Sequence, residues 1–431
     1  MRAAEIIRIG RRLMMMVSGE AMQSGFHFAL NLVLIHMLSA KDYGIFAIVM
    51  VIGGLSLTYI RSFTALPASI AISRSQSGNA ADVHELIFGS AALLLSTIIG
   101  AGVAILLYLW FDSGAIAGGC FVGLWSLRSH MRIAFFARHW QQNVSFSDLV
   151  FTISGFAGLL FITMHPSGDL LFWIFLLMAA ANGLGIATML ALPRRRLRIS
   201  YGAAMRKRYA RLRHQMGWAA LSVTTTNLQG QSVALLVTAI GGPEAYAPFA
   251  TVLTLFVPLR VAIIAIMNLV QPEAADLLAR NERKKLALVC RNWSLIAGAL
   301  GFAYGIGVFA ILPFFKVQAL ESVPVNLLGF FAWIMVTSTM LYVMPRVVLE
   351  AGMAFRTVSM ITAVGAVVGA LATFLFLLVA PPSWALGGGA ISEITVTMGY
   401  WWCAKRLLGG RRPRAGAAFQ DIDMRPRPAD G

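Results

Sequence analysis

The sequence predicts an all-α polytopic membrane protein with about twelve transmembrane helices, arranged as two six-helix lobes related by a parallel pseudo-twofold repeat. Three observations predict it. Of 431 residues, 58% are hydrophobic and 12% charged, against roughly 25% charged in an ordinary globular chain, so water is not the main solvent. The apolar runs are far longer than the roughly ten residues of a membrane barrel strand, and backbone groups in hydrocarbon must be paired within their own segment, which leaves helices. Basic residues, finally, are concentrated between alternate runs.

Windows of roughly 20 residues place spans near 13–38, 43–65, 86–110, 115–137, 147–165, 169–192, 217–240, 246–270, 287–313, 325–345, 355–380 and 384–404. The fifth is short, and the seventh carries the polar run SVTTTNLQGQS. Counted loop by loop, only Lys41 and Lys316 of 35 basic residues fall on the minority side. The positive-inside rule then puts both termini, the 194–213 stretch, the 280–291 loop and the tail from Lys405 on the cytoplasmic side of the membrane. One span more or fewer would expose either the central loop or the tail outside. The chain accordingly divides into a lobe over 1–192, a basic linker over 193–216, a second lobe over 217–405 and a basic tail over 406–431.

The net charge of +17 would suggest nucleic acid in a soluble protein. Here topology explains it, and anionic membrane lipids are the expected partners of the basic loops, with no nucleic acid. The amino end, MRAAEIIRIGRRLMMMV, has a signal-like charge pattern. No small-residue cleavage site follows and Glu20 interrupts the apolar run, so it reads as the lead-in to span 1.

The two sets of six spans resemble each other. Tyr43, Phe46 and Ala47 open span 2, and Tyr246, Phe249 and Ala250 open span 8; Pro67 and Pro272 follow at the far ends of those spans. After span 4 comes RIAFFARHWQQNVS and after span 10 RVVLEAGMAFRTVS, pairing Arg132 with Arg346 and Ser145 with Ser359. Common order and similar offset favour a parallel repeat, with a cleft between the halves.

Cys120, Cys290 and Cys403 are scattered without CxxC or His-adjacent spacing, so they read as packing residues, and no metal or cofactor is expected. GxxxxGK[ST], HExxH and GxSxG are absent and the outer loops are short. Neither direct ATP hydrolysis nor an enzyme is expected; energy would come from gradients or from the substrate.

Ionisable residues within spans cost about 2.5–3.5 kcal/mol each on insertion scales, which makes each one a question. Arg61, Arg132, Arg346 and Arg356 lie near basic-side ends and can snorkel. Arg128 is deeper, one turn from Arg132. Arg260 lies near mid-depth in span 8, two residues after Pro258, which should disturb the helix and free a carbonyl; Arg260 then either binds a ligand or ties down that carbonyl. In span 1, Glu20, Gln23, Ser24, His27 and Asn31 recur at spacings of three and four along one face, and Thr224, Asn227 and Gln231 form a similar stripe in span 7. Interhelical hydrogen bonds would account for either stripe; as a related pair they favour a shared central cleft. Glu393 in span 12, like Glu20, could carry a proton or pair with an arginine.

The segment LSAKDYGIFAIVM, the Gly242–Tyr246 element, Pro272 and the small-residue run ALGGGAISE resemble the bacterial polysaccharide flippases, of one superfamily with the multidrug and toxic compound extrusion transporters. Ala247 departs from the glycine often found in that second-half element. The resemblance covers most of the chain and implies two lobes that move lipid-linked oligosaccharide, of the polyprenyl pyrophosphate type, to the outer leaflet by alternating access. Other polysaccharide assembly proteins would be partners. A pyrophosphate and sugar hydroxyls call for arginine and neutral hydrogen-bonding groups, which makes Arg260, Arg128, Gln23, His27, Asn31, Thr224, Asn227 and Gln231 candidate substrate-binding residues, and Glu20 and Glu393 candidates for ion coupling. The alternatives are an exporter of organic cations, which would favour acids and aromatics in its cleft, and a scaffold that transports nothing.

Overall fold

A computed structural model describes residues 3–73, 75, 78–110, 114–165, 168–192, 199–210, 213–321, 323–352 and 354–409. Each of the twelve predicted windows is helical. The first lobe consists of α1 (Ala3–Met37), α2 (Ala40–Ile60) continuing through a π-helical turn (Arg61–Ala65) into α3 (Leu66–Ser73), then α4 (Gly78–Tyr108), α5 (Ala115–Ala137), α6 (Gln141–Met164) and α7 (Leu170–Ala191). A short helix, α8 (Ala203–Ala210), lies in the linker. The second lobe consists of α9 (Arg213–Leu255), α10 (Val257–Ala279), α11 (Arg283–Ile311), α12 (Val325–Ala351), α13 (Phe355–Val379) and α14 (Ala385–Leu408). Among the described residues, eight helices are long and apolar enough to cross a membrane, as fits a multi-pass membrane protein. Helices α5 and α14 carry ionisable groups that turn into the lobes, Arg128 and Glu393 both being buried.

Local chemistry sets the breaks. Ser39 caps α2: its hydroxyl accepts the Asp42 N–H at 3.1 Å and donates to the Asp42 carboxylate at 2.7 Å, satisfying an otherwise orphaned helix donor. Spans 7 and 8 are joined inside α9 at Gly242, whose φ of 79° is the left-handed region open to glycine. Span 8 is interrupted at Phe256, and Pro258 sits in the first turn of α10, where its missing N–H does no harm. The nearby Leu255 carbonyl accepts the Tyr304 hydroxyl at 2.8 Å.

Packing repeats as the sequence does. In the first lobe α1 lies on α6, α6 on α7, α7 on α5, α5 on α4, and α2 on α5; in the second, α9 lies on α13, α13 on α14, α14 on α12, α12 on α11, and α10 on α12. These are the same five pairings under the six-span offset, as a pseudo-twofold repeat requires. Small residues allow the closest of them: a Cβ on Gly100 would stand 2.8 Å from the Gly119 carbonyl of α5, and one on Gly388, in the ALGGGAISE run, would collide with Thr373 of α13. The outer faces carry exposed rows such as Leu94, Ile98 and Ile105 on α4 and Leu371, Leu375 and Leu378 on α13. Lipid covers such surface without cost.

Between the lobes the symmetry breaks. α2 lies along α9, which carries span 7 and the start of span 8, whereas α1 meets α9 and α10 only slightly among the described residues. One flank of the interface is therefore a continuous seam.

Candidate functional site

The first lobe buries a charge cluster built on α1, α5 and α6. Arg128 and Arg132 are one turn apart on α5, so both guanidiniums leave the same helical face. Arg128 Nη2 donates to Asp148 Oδ1 at 2.6 Å, and Arg132 Nη2 donates to Asp148 Oδ2 at 3.0 Å. Arg132 Nη1 reaches Glu20 Oε1 on α1 at 2.9 Å, and Arg128 Nη1 reaches Gln23 Oε1 at 3.3 Å. The Arg128 and Asp148 side chains are each 1% exposed, whereas Glu20 is 58% exposed. The guanidinium of Arg128 also lies over the Phe151 ring, 4.2 Å from its centroid. Two glycines make room: a Cβ on Gly185 would stand 2.6 Å from Arg128 Nε, and one on Gly19 would strike the Asp148 carboxylate. Two cations and two anions leave the cluster neutral, the condition under which buried charge is tolerable in a membrane.

His27 sits one turn along from Gln23, with its ring 5.3 Å from Trp125 and 5.9 Å from Phe151. Among the described residues, neither of its ring nitrogens, nor Gln23 Nε2, has a hydrogen-bond partner. Such buried polar atoms ordinarily find one, in protein or in water.

At the seam, polar side chains of α2 cross to the other lobe. Asn227 Nδ2 donates to Thr58 Oγ1 at 2.8 Å, the Tyr59 and Thr224 hydroxyls are 2.7 Å apart, and the Tyr43 hydroxyl lies 3.3 Å from Thr254 Oγ1 and 3.4 Å from Asn31 Oδ1. At the end where α2 begins, Gly44 lets the backbones touch, because a Cβ there would collide with the Pro243 carbonyl. The LSAKDYG segment is thus a helix cap, an interlobe hydroxyl and a close-approach glycine in succession.

In the second lobe, Glu393 is buried and accepts Gln229 Nε2 at 2.7 Å and the Thr339 hydroxyl at 3.0 Å. Tyr342 and Tyr400 stack beside it with centroids 5.2 Å apart.

The sequence-selected residues therefore scatter. Span 1 turns its stripe into its own lobe: Glu20 and Gln23 face the arginines, His27 the aromatics, and only Asn31 reaches the seam, through Tyr43. Span 7 sends Thr224 and Asn227 across to α2, with Gln231 partly buried nearby. The two stripes do not line one cleft symmetrically. Arg128 is held by Asp148, with its side chain 1% exposed. Arg132 joins the cluster, and Arg346 Nε bonds Glu350 Oε1 at 2.7 Å one turn along its own helix. The Arg260 side chain lies outside the described residues. Sequence reasoning missed Asp148, Gln229 and Tyr43 as partners. The search that finds the first is simple: each arginine within a span needs an acid, and Asp148 is the one in span 5.

No family model matches the sequence, and no curated protein does. Among solved structures, the chain is similar to a multidrug resistance MATE family transporter of the MOP superfamily in its inward-facing conformation, with TM-score 0.64, 14% identity, and coverage of 91% of this chain and 96% of that one. It is similar as well to an outward-facing conformation of such a transporter, with TM-score 0.59, 13% identity, and 93% and 94% of the two chains covered. A third is the Vibrio cholerae MATE transporter VcmN in the bent form, with TM-score 0.56, 15% identity, and 93% and 96% covered. At these identities the likeness is one of fold.

Proposed function

We propose that this chain, folded as those transporters are, is a membrane transporter that works by alternating access and exports amphiphilic small molecules. One observation carries the reading: the lobes are sealed along α2 and α9 and touch through backbone at Gly44 and Pro243, while α1 and α10 on the opposite flank meet only slightly among the described residues. Lobes joined on one edge can rock about it. The substrate class follows from charge. Both arginines of the first-lobe cluster are neutralised by Asp148 and Glu20, which removes the local field that would attract a pyrophosphate there, and His27, Trp125 and Phe151 offer rings instead. The solved neighbours being multidrug transporters supports the same choice.

Flipping of lipid-linked oligosaccharide is the second reading. It is favoured by the resemblance carried by LSAKDYGIFAIVM and by the neutral hydroxyl and amide groups at the seam, which suit sugar hydroxyls. Proteoliposomes separate the two. Accumulation of a fluorescent organic cation driven by a proton or sodium gradient is the expected result. Translocation of a polyprenyl pyrophosphate-linked sugar without any cation transport would replace it with the second reading, and neither activity would leave a scaffold.

A further inference from the structure

We propose that Tyr209, on the linker between the lobes, is a positioning residue that holds the π turn of span 2 and so sets the balance between the two lobe arrangements. The inference rests on the alternating-access reading above. It begins with Pro67. A proline has no N–H to give the carbonyl four residues back, and its ring crowds that carbonyl; here that residue is Phe63, in the middle of the Arg61–Ala65 turn. The helix answers by widening: the Leu66 N–H bonds the Arg61 carbonyl, five residues back. The Phe63 carbonyl accepts the Tyr209 hydroxyl at 3.1 Å instead.

The donor comes from a strap docked on the first lobe. The Ser200 N–H donates to the Ser90 hydroxyl at 2.9 Å, the Tyr201 hydroxyl donates to the Ser90 carbonyl at 3.2 Å, and the Tyr209 ring meets Phe88 edge-on at 6.1 Å. Burial pushes the Tyr209 hydroxyl up to about 12, so it stays protonated and able to donate at neutral pH. The turn it holds lies directly after Thr58 and Tyr59, the pair that crosses to Asn227 and Thr224. On the other side, Thr64 in the turn bonds His130 of α5 at 2.9 Å. A helix with an extra residue in one turn has two registers available, and relaxing the π turn would rotate the seam pair relative to α3. Tyr209 favours the register in which the lobes touch at the Gly44 and Pro243 end.

Spin labels at Ser39→Cys and Gln318→Cys, which line one cavity between the lobes at that end, report the balance in a Cys120→Ser background, Cys120 being the exposed native thiol. Tyr209→Phe keeps the ring and removes the bond, and should lower the short-distance population relative to the long by about three- to ten-fold, the value of one hydrogen bond. Tyr201→Phe removes a comparable bond from the same strap away from the turn, and should not. Pro67→Ala returns an N–H to the Phe63 carbonyl, so adding Tyr209→Phe to it should change nothing further. Equal effects of the two tyrosine variants, no shift with Tyr209→Phe, or an undiminished shift in the Pro67→Ala background would overturn the proposal. A single distance in the parent protein would overturn the alternating-access reading along with it, whereas two distances indifferent to Tyr209 would leave that reading standing.

Discussion

Replacing Asp148 by Asn tests the charge cluster with almost no change of shape. The carboxylate uses both oxygens, one for Arg128 and one for Arg132. An amide has a single acceptor, so one guanidinium would face an NH2 group, and the cluster would hold two cations against Glu20 alone. Removing one partner of a buried pair costs about 3–5 kcal/mol, because the other charge stays buried without compensation. Glu20→Gln is the internal reference: its side chain is more than half exposed, and an exposed pair contributes only about 0–1 kcal/mol. Equilibrium unfolding in mixed micelles should therefore rank Asp148→Asn well below Glu20→Gln. The double variant Arg128→Met, Asp148→Leu leaves Arg132 paired with Glu20 and should recover most of the loss, since apolar replacement of a buried pair is often neutral. Asp148→Asn within about 1 kcal/mol of the parent, or no worse than Glu20→Gln, would refute the view that the cluster is a closed, mutually neutralising unit.

Gly44→Ala should part the lobes where they touch, since the added Cβ meets the Pro243 carbonyl. A loss of about 1–3 kcal/mol is expected from such overpacking, measured by thermal unfolding in detergent, and full stability would mean that the backbones are not in contact. Reporter fusions after Pro193, Arg283 and Arg412 should give cytoplasmic signals and those at Ser113, Gly242 and Ser383 external ones; an external signal at Arg412 would sink the twelve-span topology.

Much of the architecture was legible because lipid is a demanding solvent. A segment of the right length and apolarity must be helical, and the windows for spans 4 and 10 match α5 and the body of α12 for that reason. The repeat was legible too, because both halves solve one packing problem with the same small residues and turn formers. The site was harder to read. Helical spacing put Glu20, Gln23, His27 and Asn31 on one face but said nothing about which neighbour that face meets. Opposite charges that bond across helices have no sequence spacing: Arg128 and Asp148 are on α5 and α6, and Gln229 and Glu393 on α9 and α14.

The sequence by itself determined the solvent, the helices, their approximate ends and the duplicated plan, since length, hydropathy and proline or glycine placement act locally along the chain. Only the tertiary structure decided that Arg128 and Arg132 are spent on carboxylates, that the stripe of span 1 turns inward while that of span 7 crosses to the other lobe, and that Pro67 is answered by a hydroxyl from the linker. Those outcomes depend on which faces meet once the helices pack, and inside a membrane a polar group must settle with whatever partner that packing brings within about 3 Å.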